Sequence, residues 1–403
     1  MIKALVFHPR IVQALSLEEL MNLREILEKY DLELFFVAES ESKYIAELGK
    51  LQRIKIPLKD FVNIDKANNK KRGAKEWLRY ISDTYDIRPN EIIYLGQSKL
   101  DWRTAVNSGA FYFHANFVRN KDYESFGLKS FSLFIRLVKI FWEMKDGLWG
   151  FSHKSGNIKL RFLLSSQVEV PVDGNKVSKL ADILKEDYDK NHTIGEMPAR
   201  NVLMFFTLVQ LWLSGDITPA SYFTFYPGHS IGGGNKFLET YFSGATRAAF
   251  KGYFWKNLLY RFKNTIRKHK ARLEEKRNLV SFEKEFNTLC VKKETLRKRK
   301  DLNKKNVVIV DDFSTTGISL EAGRAILQLA GFKNIVLCAI GKYGGGRYNK
   351  YEIKPEIKTK IDPFSCKDRV SISSEDYSKG KLWFDEDIEA EKKFLEILRL
   401  LCK

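Results

Sequence analysis

Cysteine is scarce in this sequence, with four residues in 403, and long apolar runs are missing. The cysteines lie far apart and form no CxxC pair, which argues against a disulfide scaffold and a zinc ribbon. They are Cys290, Cys338, Cys366 and Cys402. No apolar run reaches the roughly 18 residues of a membrane-spanning helix, and the start lacks the basic and apolar regions of a secretory signal. We therefore expect a soluble, cytoplasmic protein without a membrane partner.

Two common nucleotide-binding motifs are absent as well. The sequence contains neither the P-loop pattern GxxxxGK[ST] nor the dinucleotide pattern GxGxxG. The two longest apolar stretches are Phe131–Trp142, which Arg136 and Lys139 interrupt, and Val202–Leu213. Both are too short to cross a bilayer, so we interpret them as helices that pack in a core.

The charge balance is strongly positive. Lys and Arg number 69 against 50 Asp and Glu, a formal net charge of +19. Such an excess suits a polyanionic partner, such as nucleic acid or a phosphorylated small molecule, although a basic solubilising surface is the alternative. Hydrophobic residues make up 44% of the chain, enough for a large core. At roughly 100–200 residues per domain, the length predicts two or three domains.

Most of the positive charge lies in one segment. Residues 251–306 contain 19 Lys or Arg and 6 Asp or Glu, a net charge of +13. A charge run is typical of a solvated face, but this one also fits RNA or DNA binding. The candidate nucleic-acid-binding residues are Arg267, Lys268, Lys270, Arg272, Lys276, Arg277, Arg297, Lys298, Arg299 and Lys300.

Strands and helices alternate in two parts of the chain. Residues 1–117 show four apolar strands separated by segments of helical spacing, and a similar pattern resumes after residue 200. Alternation of this kind predicts parallel sheets covered by helices. We therefore expect two parallel-sheet α/β domains joined by a helical connector. The predicted boundaries are 1–120, 121–150 for the connector, and 151–403 with a basic insertion at about 251–306.

The sharpest motif runs from Val307 to Ser319. Four β-branched residues form a predicted strand, Asp311 and Asp312 follow it, and a hydroxyl-rich loop leads into a helix. Ligands bind at the carboxyl ends of parallel strands, and a helix N-terminus favours anions. Vicinal ribose hydroxyls or the waters of Mg²⁺ suit the two carboxylates. The pattern therefore predicts a site for a sugar phosphate with its metal.

This motif resembles the phosphoribosyl-pyrophosphate site of type I phosphoribosyltransferases. The resemblance implies transfer of a phosphoribosyl group with Mg²⁺, Asp311 and Asp312 being the catalytic and metal-binding residues. Ser314, Thr315, Thr316, Gly317, Ile318 and Ser319 would hold the 5′-phosphate. The loop Pro227, Gly228, His229 and Ser230 follows an earlier predicted strand and would hold the pyrophosphate. Lys342, Tyr343 and Trp383 are candidates for a hood over the acceptor base.

The first domain resembles haloacid-dehalogenase-like hydrolases through the segment Pro89–Asp101. Family members carry an acid where Gln97 stands, whereas Asp101 is retained; Ser40 and either Lys71 or Lys75 would fill further family positions. Active members begin with Asp-x-Asp after the first strand, but here His8-Pro9-Arg10 follows it. Without those carboxylates a phosphatase lacks its nucleophile and its metal ligands. We therefore predict a catalytically silent domain.

Three functional hypotheses stay open at this point. The chain is a phosphoribosyltransferase with an unidentified acceptor, or a sensor that binds phosphoribosyl pyrophosphate or a nucleotide without turnover. The third hypothesis is a nucleic-acid-binding effector, since the domain pairing resembles proteins of bacterial anti-phage and stress systems. A homodimer or a complex with a partner protein is compatible with each of them.

Overall fold

The computed structural model describes most of the chain, in two compact units. The described residues are 1–120, 123, 125–174, 176–185, 192–219, 221–234, 236–250, 253–255, 258–265, 280–296, 302–366, 369–383 and 386–402. The first unit comprises Met1–Gly147, Leu208–Ala220 and Gly244–Gly252, and the second comprises Leu148–Thr207, Ser221–Ser243 and Tyr253–Lys403. Both are α/β units, as the alternating pattern predicts.

The first unit is built on a parallel sheet of six strands. They are β1 (Ala4–Phe7), β2 (Glu33–Val37), β3 (Asp60–Val62), β4 (Ile92–Gly96), β5 (Phe111–Ala115) and β6 (Phe126–Leu128), in the order β3-β2-β1-β4-β5-β6. The residues of β1, β4 and β5 are all buried. Continuous apolar strands of this kind are typical of a sheet covered on both faces.

Six helices belong to the part of the first unit before residue 148 that the structure describes. They are α1 (Arg10–Ala14), α2 (Leu17–Tyr30), α3 (Ile45–Ile54), α4 (Glu76–Tyr85), α5 (Lys99–Ser108) and α6 (Phe131–Met144). The apolar spacing of Leu17–Tyr30 predicts a helix, and α2 has those bounds; Ser16 and Glu19 form a capping box at its start. The predicted connector 121–150 contains strand β6 before α6, so it is helical only in its second half.

Two segments from later in the chain complete the first unit. They include the second halves of α8 (Ala199–Leu213) and α9 (Lys236–Phe250). Trp212 is buried against Phe111 and donates its indole N–H to the carbonyl of Gly109 at 2.9 Å. Trp102 donates to the carbonyl of Ala248 at 2.9 Å. The buried indole of Trp212 and the half-buried indole of Trp102 thus both have hydrogen-bond acceptors.

The second unit is built on a mixed sheet. Its order is β14-β13-β17-β18-β8-β7, and only β7, at one edge, runs antiparallel to its neighbour. These strands are β7 (Phe151–Ser155), β8 (Ile158–Ser165), β13 (Tyr222–Phe225), β14 (Tyr253–Phe254), β17 (Asn306–Ser314) and β18 (Asn334–Lys342). Ile309 and Leu337 lie in the core of this unit with the apolar residues of its helices.

Short two-stranded sheets and helices surround the mixed sheet. The strands pair as β9 (Glu169–Val172) with β10 (Lys176–Lys179), β11 (Thr193–Ile194) with β12 (Met197–Pro198), β15 (Leu259–Arg261) with β16 (Leu289–Val291), and β19 (Arg347–Ile353) with β20 (Tyr377–Trp383). The remaining helices are α7 (Leu180–Leu184), α10 (Phe282–Phe286), α11 (Ile318–Leu329), α12 (Pro355–Lys358) and α13 (Ile388–Cys402).

The cysteines and the apolar helices bear on the compositional predictions. Cys290 and Cys366 form a disulfide across 76 residues, a pairing that the absence of CxxC spacing did not suggest. The two apolar runs are helices, α6 and α8, as predicted. Within the described part of the chain, no helix is both long and apolar enough to cross a bilayer.

Candidate functional site

The two predicted ligand loops of the second unit begin side by side. Strands β13 and β17 are adjacent and parallel, and the N–H of Tyr226, just after β13, donates to the carbonyl of Val310 at 3.1 Å. On its other side β13 pairs with β14, the next strand of this sheet along the chain. The strand order therefore reverses between β13 and β17, and such a switch point is where open α/β sheets bind ligands.

The paired acids lie at the end of β17. This strand is longer than predicted, because its pairing with β18 continues to Ser314 opposite Lys342. Asp311 and Asp312 are therefore within the strand and half-buried, and they accept from the next backbone N–H at 3.0 and 2.7 Å respectively. Among the described residues no group of three or more metal-ligating side chains exists. Two carboxylates still fit a Mg²⁺ ion whose other ligands are substrate phosphates and water.

The hydroxyl-rich loop leads into the N-terminus of α11. Gly317 precedes the helix with φ +83°, and no side chain caps the helix there. The first N–H groups of a helix have no partner within the helix, and its dipole adds partial positive charge. The Ser314 hydroxyl is buried and has no hydrogen-bond partner among the described residues. An anion with several oxygens would satisfy these donors.

The buried side chain of Lys342 holds this loop through a hydrogen bond to its backbone. Its side chain is 1% exposed, and the ammonium donates to the carbonyls of Thr315, of Tyr343 at 2.8 Å and of Arg347 at 2.9 Å. Burial lowers the pKa of Lys342 to about 8. The prediction that Lys342 grips an acceptor base is wrong, because the ammonium is committed to backbone carbonyls. Lys342 is a positioning residue for the candidate phosphate loop.

The other two hood candidates lie on different elements of the second unit. The ring of Tyr343 lies 5.0 Å from that of Phe313, beside the end of β17. Trp383 is 66% exposed at the end of β20, where the guanidinium of Arg347 lies 5.2 Å from its ring. Trp383 pairs with Arg347, whose carbonyl accepts from the same Lys342 ammonium that bonds the carbonyl of Thr315, so Tyr343 and Trp383 both stay candidates for contact with an acceptor.

The second predicted loop, Tyr226–Ser230, is tightly folded. The N–H of Gly228 donates to the carbonyl of Gly233 at 2.9 Å, and the N–H of Gly233 donates back to the carbonyl of Ser230 at 2.9 Å. Pro227 is buried, Gly228 and His229 are half-buried, and Ser230 is exposed. The loop thus presents its tip at the edge of the sheet where the anion loop of α11 begins.

A buried arginine holds this second loop in place. Arg261, which is 1% exposed, donates to the carbonyl of Gly228, to the Tyr226 hydroxyl at 3.1 Å and to Glu285 at 2.8 Å. Burial, then the charge of Glu285, raises the pKa of Tyr226 well above its usual value. The sequence did not single out Arg261, because it lies in the basic segment 251–306, where a buried arginine cannot be distinguished by sequence from an exposed lysine or arginine. It is a structural residue rather than a surface cation.

The predicted nucleic-acid-binding residues are not placed by the structure. Arg267, Lys268, Lys270, Arg272, Lys276, Arg277, Arg297, Lys298, Arg299 and Lys300 lie outside the described residues. Their role in binding RNA or DNA stays a prediction.

In the first unit, Asp101 lies in the first turn of α5, the helix that follows β4. It is fully buried and accepts from the Tyr94 hydroxyl at 3.1 Å, the N–H of Gln97 at 3.1 Å, the Ser98 hydroxyl at 2.8 Å and the Arg72 guanidinium at 3.1 Å. Four donors, one of them cationic, leave little capacity for a metal ion. The described residues here therefore do not fit Mg²⁺.

The cation of this cluster is Arg72 rather than Lys71 or Lys75, the two residues that the sequence suggested. His8, after β1, lies 3.3 Å from the Gln97 amide, and burial lowers its pKa to about 4. The imidazole is consequently neutral at pH 7. Ser40 follows β2 and its hydroxyl lies 2.8 Å from that of Ser42.

Comparison with known proteins gives little further information. No family model matches the chain, and no curated protein matches it. Among solved structures, it is similar to the NMR structure of the core domain of a protein from Streptococcus pneumoniae TIGR4 assigned as a phosphoglycolate phosphatase. The identity is 16%, the match covers 34% of this chain and 96% of that chain, and the TM-score is 0.25. A TM-score this low carries no argument about either unit.

Proposed function

We propose that the second unit binds phosphoribosyl pyrophosphate and transfers its phosphoribosyl group to an acceptor with a nucleophilic nitrogen. The observation that carries this proposal is the position of the two loops. An uncapped helix N-terminus with four neighbouring hydroxyls lies beside a second tight loop at the switch point of the sheet. Two phosphate-binding elements next to a pair of carboxylates suit a sugar with a phosphate at each end.

Each element has a separate role in this proposal. The loop Ser314–Ser319 and the first N–H groups of α11 hold the 5′-phosphate. Asp311 and Asp312 accept hydrogen bonds from the ribose hydroxyls. The loop Pro227–Ser230 holds the pyrophosphate, and Arg261 and Lys342 keep the two loops rigid through their bonds to backbone carbonyls. Rigid loops lower the entropy cost of aligning C1 of the ribose with the acceptor.

The proposed reaction is a substitution at C1. The acceptor nitrogen forms a bond to C1 with its electron pair, the bond from C1 to the pyrophosphate oxygen breaks, and pyrophosphate leaves with that pair. The proton of the acceptor passes to solvent or to pyrophosphate. Mg²⁺, which Asp311 and Asp312 would help to hold, neutralises negative charge on the leaving group when bound. The protein's own contribution is alignment and hydrogen bonding to the phosphates.

Fragments of the substrate test the assignment of the two loops. Ribose 5-phosphate carries only the 5′-phosphate, and inorganic pyrophosphate carries only the other end. Thr316→Val removes one hydroxyl of the α11 loop, and we expect it to weaken ribose 5-phosphate binding about tenfold with little change for pyrophosphate. The double variant His229→Ala, Ser230→Ala is expected to show the opposite pattern. Isothermal titration measures both affinities.

Thr359→Val is the matched control, since this exposed threonine lies after α12 and bonds only the carbonyl of Glu356 among the described residues. It should leave both affinities unchanged. Equal loss of both fragments in Thr316→Val, or no binding of either fragment to the folded wild type, would contradict the assignment. Turnover separates a transferase from a sensor, because only a transferase releases pyrophosphate continuously.

For the first unit, the proposal is a haloacid-dehalogenase-like fold without phosphatase activity. Its support is the place of Ser98 and Asp101 at the start of α5, just after β4, together with the sequence His8-Pro9-Arg10 after β1. The nucleophilic carboxylate is missing, and the Asp101 carboxylate forms an ion pair with Arg72. We expect no hydrolysis of p-nitrophenyl phosphate with Mg²⁺; metal-dependent hydrolysis that His8→Ala abolishes would contradict this.

A further inference from the structure

A second concave site lies at the amino ends of the parallel strands in the mixed sheet, opposite to the carboxyl ends that form the candidate site. It is a cavity of about 500 Å³ at the amino ends of β8 and β18. Ser155 at the end of β7 and Asn157 in the turn to β8 line it, together with Phe332 and Lys333, which precede β18. The candidate site described above lies at the carboxyl ends of β13 and β17, two parallel strands of the same sheet. The two sites are therefore separate.

The lining of this cavity is predominantly cationic. Its charged residues are Arg324, Lys333, Lys350 and Lys358 on the positive side and Glu352 on the negative side. Lys350 is paired with Glu352 at 3.2 Å. Lys333 and Lys358 are exposed, and neither has an ion-pair partner among the described residues. Two lysines are thus available to a ligand.

Arg324 builds the wall of the cavity. It is 1% exposed, and its guanidinium donates to Glu321 at 2.8 Å, to the Gln328 side chain and to the carbonyl of Tyr351. The bond to Tyr351 joins α11 to β19, and the bonds to Glu321 and Gln328 hold the guanidinium within α11, so the wall is held by buried contacts rather than by surface side chains. Such a rigid wall means that the ligand does not have to order the cavity when it binds.

The chemistry of the lining selects the class of ligand. Lysine ammonium groups bind phosphate as point charges, and Asn157 and Ser155 add neutral hydrogen-bond donors at the rim. The aromatic residues of the lining, Phe332 and Tyr351, are 1% and 3% exposed, so they offer no open face on which a base could stack. With a single carboxylate, the cavity does not suit a metal cation.

We propose that this cavity, the amino-edge site, binds a small molecule that carries two or more phosphate groups and that Lys333 and Lys358 are its principal contacts. Inorganic tripolyphosphate without divalent metal is the probe. Lys333→Met, Lys358→Met together should weaken its binding about tenfold or more, because each removes a charge-assisted contact. Lys333→Arg, Lys358→Arg should retain it. Glu352→Gln should strengthen binding about two- to threefold, because it removes the one carboxylate of the lining.

Two controls separate this site from general basicity and from the candidate site. Lys392→Met removes an exposed lysine of α13 that lies outside the cavity. His229→Ala, Ser230→Ala weakens anion binding at the loop of the candidate site. Isothermal titration should show that the double methionine variant loses one tripolyphosphate site, which Lys392→Met preserves and which His229→Ala, Ser230→Ala also preserves while it weakens binding at the candidate site. Unchanged binding in the double methionine variant, or an equal loss in Lys392→Met, would overturn the proposal; circular dichroism confirms that each variant is folded.

Discussion

Gly317, the residue before α11, gives the sharpest test of how the anion loop is built. It has φ +83°, and a Cβ added there would stand 2.2 Å from Cε2 and 2.5 Å from Cζ of Tyr348. Tyr348 is fully buried and its hydroxyl donates to Glu321 at 3.0 Å, so its ring has no easy way to move. Alanine at this position therefore meets both backbone strain and a side-chain clash.

The size of the effect follows from these two terms. The left-handed backbone costs an L-residue about 1–2 kcal/mol. Overpacking a buried site costs roughly 1–3 kcal/mol. Together, Gly317→Ala should lower the free energy of unfolding by about 2–5 kcal/mol. Gly331, which follows α11, has φ +102° with nothing within 4 Å of an added Cβ, so Gly331→Ala carries the strain without the clash. Its expected cost is about 1–2 kcal/mol.

The assay is urea unfolding together with hydrogen exchange of peptides from Ile318–Leu329. Gly317→Ala should accelerate exchange in this helix more than Gly331→Ala does and should also weaken ribose 5-phosphate binding. Adding Tyr348→Leu should recover part of the loss, because it makes room for the new methyl group. Equal costs for the two alanine variants, or no coupling with Tyr348→Leu, would refute the reasoning.

Three further predictions concern buried polar groups and the disulfide. Arg261→Met leaves Glu285 buried without its partner, so the unfolding free energy should fall by about 3–5 kcal/mol in urea titrations, whereas the double change with Glu285→Leu should cost less. The pKa of Lys342 is about 8 when folded against 10.5 in its ordinary state. Between about pH 8 and 10.5 the unfolded chain binds more protons than the folded one, so the free energy of unfolding should rise with pH by roughly 3 kcal/mol. Lys342→Met should abolish that rise. A free energy of unfolding that falls equally with pH in the wild type and in Lys342→Met would contradict this. Cys366→Ser should lower the stability of the oxidised protein by about 4 kcal/mol, because the disulfide with Cys290 closes a long loop; thiol titration in denaturant should find two thiols before reduction and four after it.

Local signals explain what the sequence predicted well. Helix α2 has a capping box at Ser16 and a regular apolar face, so its bounds could be read directly. Strand β17 and helix α11 are marked by β-branched residues, then by Gly317 and Gly331 at the two ends of the helix. Both candidate loops could be located because they follow apolar strands. These signals lie within one element and do not depend on distant contacts.

Features that depend on distant contacts could not be predicted. The end of β17 is extended by its pairing with β18, although two carboxylates, Asp311 and Asp312, directly follow Val310. Arg261 and Lys342 can be buried because backbone carbonyls of other elements accept hydrogen bonds from them. No residue near either of them in sequence indicates these bonds. In the first unit, the fold likewise brings Arg72, rather than Lys71 or Lys75, to the Asp101 carboxylate.

The return of the chain to the first unit is another long-range feature. Leu208–Ala220 and Gly244–Gly252 belong to it although they lie far along the sequence. The apolar pattern of α8 identifies a buried helix but not the surface that covers it. The disulfide between Cys290 and Cys366 is likewise set by the fold, since the two residues are 76 positions apart.

The most direct test of the proposed function is isothermal titration of the full chain with phosphoribosyl pyrophosphate and Mg²⁺, beside the double variant Asp311→Asn, Asp312→Asn. We expect one saturable, Mg²⁺-dependent site in the wild type and an affinity at least about tenfold weaker in the variant, because the amides cannot accept as the carboxylates do. Absence of saturable binding in the folded wild type, or equal affinity in the variant, would contradict the proposal.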